Sequence, residues 1–157
     1  MNDHSLAILA SRIATLGGVG QLGMAPGTLG SLVTLPLCYL AMTLGVTWHL
    51  LFLGIICAIG TWAAHQTAIH LGDKDPKEVV VDEMAGMMLT MVHAPKGWTW
   101  LLTGFLAFRL FDIWKPWPVN WIDRNVPGGL GIMADDLAAG IYAWLLLTIS
   151  TLWMVQE

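Results

Sequence analysis

Apolar residues run through this chain in long blocks, divided by short polar or glycine-rich breaks. Leu6, Leu9, Ile13 and Leu16 recur at three- and four-residue spacing, with Arg12 on another face. That spacing predicts a short amphipathic helix on a bilayer surface. Glycines then cluster from Gly17 to Gly30 around Pro26, a loop pattern. Five apolar segments follow, over residues 31–44, 48–64, 79–93, 98–111 and 136–155. Their breaks are Gly45, the run 72–77, Pro95-Lys96-Gly97 and the long polar stretch 112–135. Strand alternation is absent, so all five segments are predicted helices. A spanning helix needs about 20 residues, and the third and fourth segments are short of that. The expected fold class is all-α: a polytopic membrane helical bundle of about five membrane-embedded helices plus the N-terminal interfacial helix. Residues 1–157 form one domain.

Composition strengthens the membrane reading. The chain is 56% hydrophobic and only 11% charged, with a net charge of −4. Soluble domains carry roughly 25% charged residues. A disordered chain, a coiled coil and a basic nucleic-acid binder are excluded. Cys38 and Cys57 each sit inside an apolar run and read as small core residues, with no disulfide framework. The N-terminus carries Asp3 and no basic region before its short apolar run, so insertion is expected from the later helices rather than from a secretory signal.

Lys and Arg set the orientation. With the N-terminus inside, the inner segments hold Arg12, Lys74, Lys77, Lys115 and Arg124, with Arg109 near that boundary, and the outer loops hold only Lys96. Trp48, Trp98, Trp100 and Trp153 then fall near the outer face, and Trp114, Trp117 and Trp121 near the inner one.

The acids are grouped. Asp82-Glu83 opens the third apolar segment, Asp112 ends the fourth, Asp123 follows, and Asp135-Asp136 opens the fifth. All of these belong to the inner ends of helices in this topology. Carboxylates facing one another near lipid repel unless a cation sits among them, and an all-oxygen set suits Mg²⁺, Mn²⁺ or Ca²⁺. The plainer reading is that acids at helix N-termini cap the helix and offset its dipole.

Other polar positions carry two readings each. Lys115, three residues beyond Asp112 and followed by Pro116 and Pro118, is either a phosphate-binding cation beside a metal or an interfacial salt-bridge lysine. Arg109 is read as a structural partner of Asp112. The loop 24–31, with Gly27, Thr28 and Ser31, offers backbone N–H groups to an anion or is a plain turn. The same choice holds for the glycine-rich run 127–131. His65 and Gln66 face a polar layer, where His65 is either structural or a phosphate contact. No zinc spacing and no Ser or Cys nucleophile motif occurs, so the chemistry is expected to use metal and water.

One long stretch is distinctive: Phe108-Arg-Leu-Phe-Asp-Ile-Trp-Lys-Pro-Trp-Pro118. It is followed by Trp121-Ile-Asp-Arg-Asn125 and Gly128-Gly-Leu-Gly-Ile-Met-Ala-Asp-Asp-Leu-Ala-Ala-Gly140. Supporting pieces are Pro26-Gly-Thr-Leu-Gly-Ser31, His65-Gln-Thr67 and Val81-Asp-Glu-Met-Ala-Gly86. With these motifs the chain resembles the phosphatidylglycerophosphatase A family from about Gly17 onward. A Trp often precedes the first Asp-Glu pair in that family, where this chain has Val81.

The resemblance implies a Mg²⁺-dependent phosphatase at the cytoplasmic face of the bacterial inner membrane. Its substrate would be a membrane phospholipid, phosphatidylglycerophosphate, and its products phosphatidylglycerol and inorganic phosphate. On that basis Asp82, Glu83, Asp112, Asp135 and Asp136 supply the metal shell, with Glu83 or Asp135 as general base. Lys115, Arg124, His65 and the 26–31 segment with Gly27, Thr28 and Ser31 hold the phosphate. Two rival classes stand beside this. One is a small transporter or ion pathway using the grouped acids. The other is a CDP-alcohol type transferase, whose D-x2-D-G-x2-A-R run is missing here.

Overall fold

The computed structural model describes residues 3–23 and 25–155. Among them are α1 (Asp3–Ala14), a 3-10 turn at Val19–Gln21, α2 (Pro26–Leu44), α3 (Val46–Leu71), α4 (Val81–Thr90), α5 (Trp98–Trp114), α6 (Val119–Asn125) and α7 (Gly128–Val155). No strand occurs among the described residues. The all-helical expectation holds, and of the five apolar helices expected to be membrane-embedded three are clear candidates to span. Three helices, α2, α3 and α7, are long and apolar enough to cross a membrane.

The physical reason lies in α4. Its ten residues rise only about 15 Å, half of a ~30 Å hydrocarbon core. α5, with 17 residues, also falls short of the three long helices. The third apolar run of the sequence is therefore a short central helix rather than a span. Val81, Ala85, Gly86, Met87, Met88 and Thr90 are all buried on it, and α2, α3, α5 and α7 pack around it.

A helix that ends inside an apolar bundle must still satisfy its last carbonyls. Here two side chains do so, one buried and one half-buried. His49 of α3 lies 2.8 Å from the Met88 carbonyl through Nε2. Trp144 of α7 donates its indole N–H to the Val92 carbonyl at 3.0 Å.

Helices α4 and α7 approach closely at two glycines. A side chain placed on Gly140 would bring its Cβ to 2.6 Å from the Gly86 carbonyl oxygen. One placed on Gly86 would meet the Asp136 carbonyl oxygen at 2.7 Å and the Phe108 ring. Small residues let helix backbones meet where no side chain intervenes. The Thr90 hydroxyl donates to the Gly86 carbonyl at 2.8 Å within the same seam.

Around this core the outer faces are apolar. Leu51, Ile55, Leu102, Leu106, Leu145 and Ile149 are exposed, as expected of side chains that face lipid. Trp114, Trp117 and Trp121 are exposed at one end of the bundle, and Trp48, Trp98 and Trp153 at the other. Such aromatic belts mark membrane–water interfaces.

Two sequence boundaries shift. Residues 112–135 were expected to be a polar connection, yet α6 forms within them and α7 begins at Gly128. Likewise the 26–31 segment is the start of α2 rather than a loop, with Pro26 in its first turn. Met24 of that predicted loop lies outside the described residues. Between α2 and α3 the chain turns on Gly45 alone, at φ 99°, a conformation that favours glycine.

Candidate active site

Five acids converge at one end of the bundle because three helices deliver them there. Asp82 and Glu83 stand in the first turn of α4. Asp112 lies near the end of α5, and Asp135 and Asp136 lie two turns inside α7. The Gly86–Gly140 contact sits one helical turn from Asp82 and from Asp136, so it draws these two carboxylates together. All five acids line one cavity of about 290 Å³, together with Asp75, Lys77, Arg109, Lys115, Gly27 and Thr28.

Within the cavity three acids form the tightest group. One oxygen each of Asp82, Glu83 and Asp136 lies within 4.8 Å of the others. Asp82 Oδ1, Glu83 Oε2 and Asp136 Oδ2 are buried and have no hydrogen-bond partner. Buried polar atoms are ordinarily paired, and clustered carboxylates ordinarily need a cation. Three carboxylates this close, each with a buried unpaired oxygen, are the donor set of a hard divalent ion. Helix capping does not account for them, since a capping carboxylate has backbone N–H partners. The residues present fit a bound Mg²⁺.

Burial pushes the carboxyls of Asp82 and Glu83 above the usual carboxylate range, and the charges of Glu83 and Asp136 push Asp82 further. An acid whose folded pKa is raised stabilises the fold below its unfolded pKa of ~4, and that contribution is lost as pH rises through the folded value. A divalent cation held by these carboxylates would take the place of the proton. Metal-free protein in detergent is therefore expected to lose thermal stability as pH rises from about 4 to neutrality, by about 1.4 kcal/mol for each unit by which a folded pKa exceeds its unfolded value. Excess Mg²⁺ should flatten that slope. A metal-free melting temperature that stays level or rises over this interval would contradict the assignment.

The other two acids have cationic partners. Arg109 Nη1 lies 2.7 Å from Asp112 Oδ2 and 3.9 Å from Glu83 Oε1, across one turn of α5 and onto α4. A side chain at Gly27 would run into Glu83 Oε1 and come to 3.0 Å from Arg109 Nη1. The glycine thus lets the N-terminus of α2 reach the acids. Lys115 stands at φ 46°, ending α5 and turning its side chain away from that helix. Its Nζ donates to Asp123 Oδ1 at 2.8 Å and to Asp135 Oδ2 at 2.7 Å. Burial alone would lower its pKa, but these two bonds outweigh burial and hold the ammonium above the usual lysine range.

Measured against the sequence reading, the residues divide. Asp82, Glu83, Asp112, Asp135, Asp136, Lys115, Gly27 and Thr28 all line the cavity. The N–H groups of Gly27 and Thr28 belong to the first turn of α2, where backbone donors have no helical partner.

Ser31, His65 and Arg124 do not line it. The Ser31 hydroxyl donates to the Gly27 carbonyl at 2.8 Å. His65 accepts from the Gly129 N–H through Nδ1 at 3.4 Å, at the start of α7. Arg124 is exposed, and its carbonyl accepts from Lys74 Nζ.

The cavity also takes in Asp75 and Lys77, which the sequence marks only as part of a helix break and, for Lys77, as an inner-side charge. Arg109 was seen as a partner of Asp112, but its place in the cavity wall was not. Its three-residue spacing from Asp112 was the available signal.

Comparison with known proteins adds an independent line. A family model described as phosphatidylglycerophosphatase A matches residues 12–151. A protein named phosphatidylglycerophosphatase A from Escherichia coli is 43% identical over 125 residues, covering 79% of this chain and 73% of that one. One of the same name from Haemophilus influenzae is 36% identical over 140 residues, covering 88% and 86%. A Bacteroides thetaiotaomicron protein, provisionally named a phosphatidylinositol-3-phosphatase, is 34% identical over 151 residues, covering 91% and 93%. No solved structure matches the chain.

Proposed function

This chain belongs to the phosphatidylglycerophosphatase A family, and from that premise we propose that it hydrolyses the terminal phosphomonoester of phosphatidylglycerophosphate. The products are phosphatidylglycerol and inorganic phosphate, and the reaction depends on Mg²⁺. The observation that carries the reading is the trio of buried, unpartnered oxygens on Asp82, Glu83 and Asp136. Asp82, Glu83 and Asp136 would hold a divalent cation, which would supply Lewis acidity, offsetting phosphoryl charge and easing loss of a proton from the attacking water.

The chain's own groups do the rest. The Gly27 and Thr28 N–H groups, at the positive end of α2, donate to the phosphate dianion. Arg109 offsets the charge of Asp112 and Glu83, so the cavity does not repel an anion outright. Lys115 fixes Asp135 at the cavity wall, where its carboxylate is placed to take the proton of the attacking water. Attack at phosphorus opposite the glycerol oxygen breaks that P–O bond, and the oxygen leaves as the head-group alcohol after gaining a proton.

Charge supports a site at the cytoplasmic face of the inner membrane. Lys74, Lys77, Arg109, Lys115 and Arg124 cluster at the cavity end of the bundle, and Lys96 lies at the opposite end beside Met154. By the positive-inside rule this distribution supports a cavity that faces the cytoplasm. The same placement weighs against an ion pathway, whose ionisable groups belong near the midplane.

Purified, detergent-solubilised protein is expected to release phosphate from phosphatidylglycerophosphate with Mg²⁺ and to stop in EDTA. Absence of release with either Mg²⁺ or Mn²⁺ would remove the assignment. Faster release from phosphatidylinositol 3-phosphate would move it to that head group.

A further inference from the structure

Beside the carboxylate cavity lies a second one of about 500 Å³, between α1, the 3-10 turn and the 72–80 segment. Pro26 and Lys77 line both, so Lys77 stands at the doorway between them. The second cavity is polar on its protein side, with Ser11, Thr15, Gln21 and Glu78 in its wall, and Leu71 beside them. Lys77 is exposed, and among the described residues it makes no ion pair or hydrogen bond. The other cations near the acids are engaged. Lys115 is held by Asp123 and Asp135, Arg109 lies against Asp112 and Glu83, and Lys74 binds two carbonyls of α6.

The substrate of the proposed reaction carries two phosphates. The terminal one is a phosphomonoester, and one glycerol away is the phosphodiester that links it to diacylglycerol. Lys77 lines the cavity that holds the acids and has no partner among the described residues, so its ammonium is available to a second phosphate when the terminal one sits among the acids. We propose that Lys77 binds this phosphodiester. It thereby selects a phosphomonoester carried on a glycerol phosphodiester over one attached directly to diacylglycerol. The inference rests on the proposed function and adds to it a residue that decides specificity. Lys77 touches the non-reacting phosphate, so its effect belongs in binding and in the choice of substrate.

The test uses the full chain in detergent and compares Lys77→Met with Lys77→Arg. For phosphatidylglycerophosphate, Lys77→Met should raise KM about tenfold, the effect of one charge-assisted hydrogen bond, with kcat near wild type. Lys77→Arg should restore most of it. For phosphatidate, which has no phosphodiester, KM should be unchanged between the variants. If phosphatidate binds without being cleaved, its inhibition constant serves instead. Equal loss for both lipids, or no change for either, would overturn the proposal. A wild-type protein that cleaves neither lipid would count against the functional reading itself. Binding of phosphatidylglycerol, which retains the phosphodiester, then decides Lys77 separately. Weaker binding by Lys77→Met upholds the subsite, and unchanged binding overturns it.

Discussion

Asp82→Asn and Asp136→Asn are each expected to lower phosphate release by about a thousandfold or more while leaving the protein folded, since each removes a charge at the centre of the reaction. Asparagine keeps the shape of aspartate and loses its charge. In the metal-free protein that loss is favourable, because these carboxylates face one another and Glu83 with buried, unpartnered oxygens. Each variant should therefore melt no lower than the wild type in EDTA. It should also lose the stabilisation that Mg²⁺ gives the wild type. Those two readings separate a metal ligand from a residue that merely supports the fold. Wild-type turnover in either variant would remove that residue from the mechanism. A variant that melts lower in EDTA and still responds fully to Mg²⁺ would make the acid structural.

Gly140→Val is the second large effect, and it acts on folding. The new Cβ would stand 2.6 Å from the Gly86 carbonyl oxygen and 3.2 Å from the Gly86 Cα. Backbone cannot move aside as a flexible side-chain tip can, so α4 and α7 must separate. Overpacking a tight core costs about 1–3 kcal/mol. A clash with backbone belongs at or above the top of that range, so little folded protein should accumulate. Gly54→Ala is the control. Gly54 is exposed on α3, and nothing lies within 4 Å of a Cβ placed there. Relief of glycine's conformational freedom should leave that variant neutral or more stable by about 0.5–1 kcal/mol. Thermal denaturation of the three proteins in one detergent checks the pair. Equal melting temperatures for Gly140→Val and the wild type would remove the seam from the account of how the acids are brought together.

How much of this was legible in the sequence depended on whether the signal was local. The long apolar runs of α2, α3 and α7 announce themselves, since each covers lipid over many turns. The pairs Asp82-Glu83 and Asp135-Asp136 stood out because charge is so scarce in the chain. Their convergence was inferred from a shared depth, and the structure does bring Asp82, Glu83 and Asp136 together. Other features depend on contacts between elements. Composition marks residues 79–93 as apolar, but burial on all sides, rather than lipid, explains that composition in α4. The glycines from Gly128 onward read as a loop, yet Gly129 is pressed against the His65 backbone in the opening turn of α7, where a Cβ would not fit. Lys115 was paired with Asp112 on helical spacing. Its left-handed backbone ends the helix and sends the ammonium to Asp123 and Asp135 instead. Asp75 and Lys77 lie in a polar segment with no periodicity, and nothing in one dimension places them over the acids.

The cavity at the bundle's end, level with exposed Trp114, Trp117 and Trp121, also governs how substrate is supplied. Pulling a two-chain phospholipid into water costs about 0.8 kcal/mol per methylene, or tens of kcal/mol in all. A site at the water boundary avoids that extraction. The lipid drifts sideways in its leaflet until its head group reaches the carboxylates, and the product drifts away with its tails never wetted. Encounter is then two-dimensional, and the concentration the enzyme senses is the mole fraction of substrate in the membrane rather than its molarity in the surrounding water.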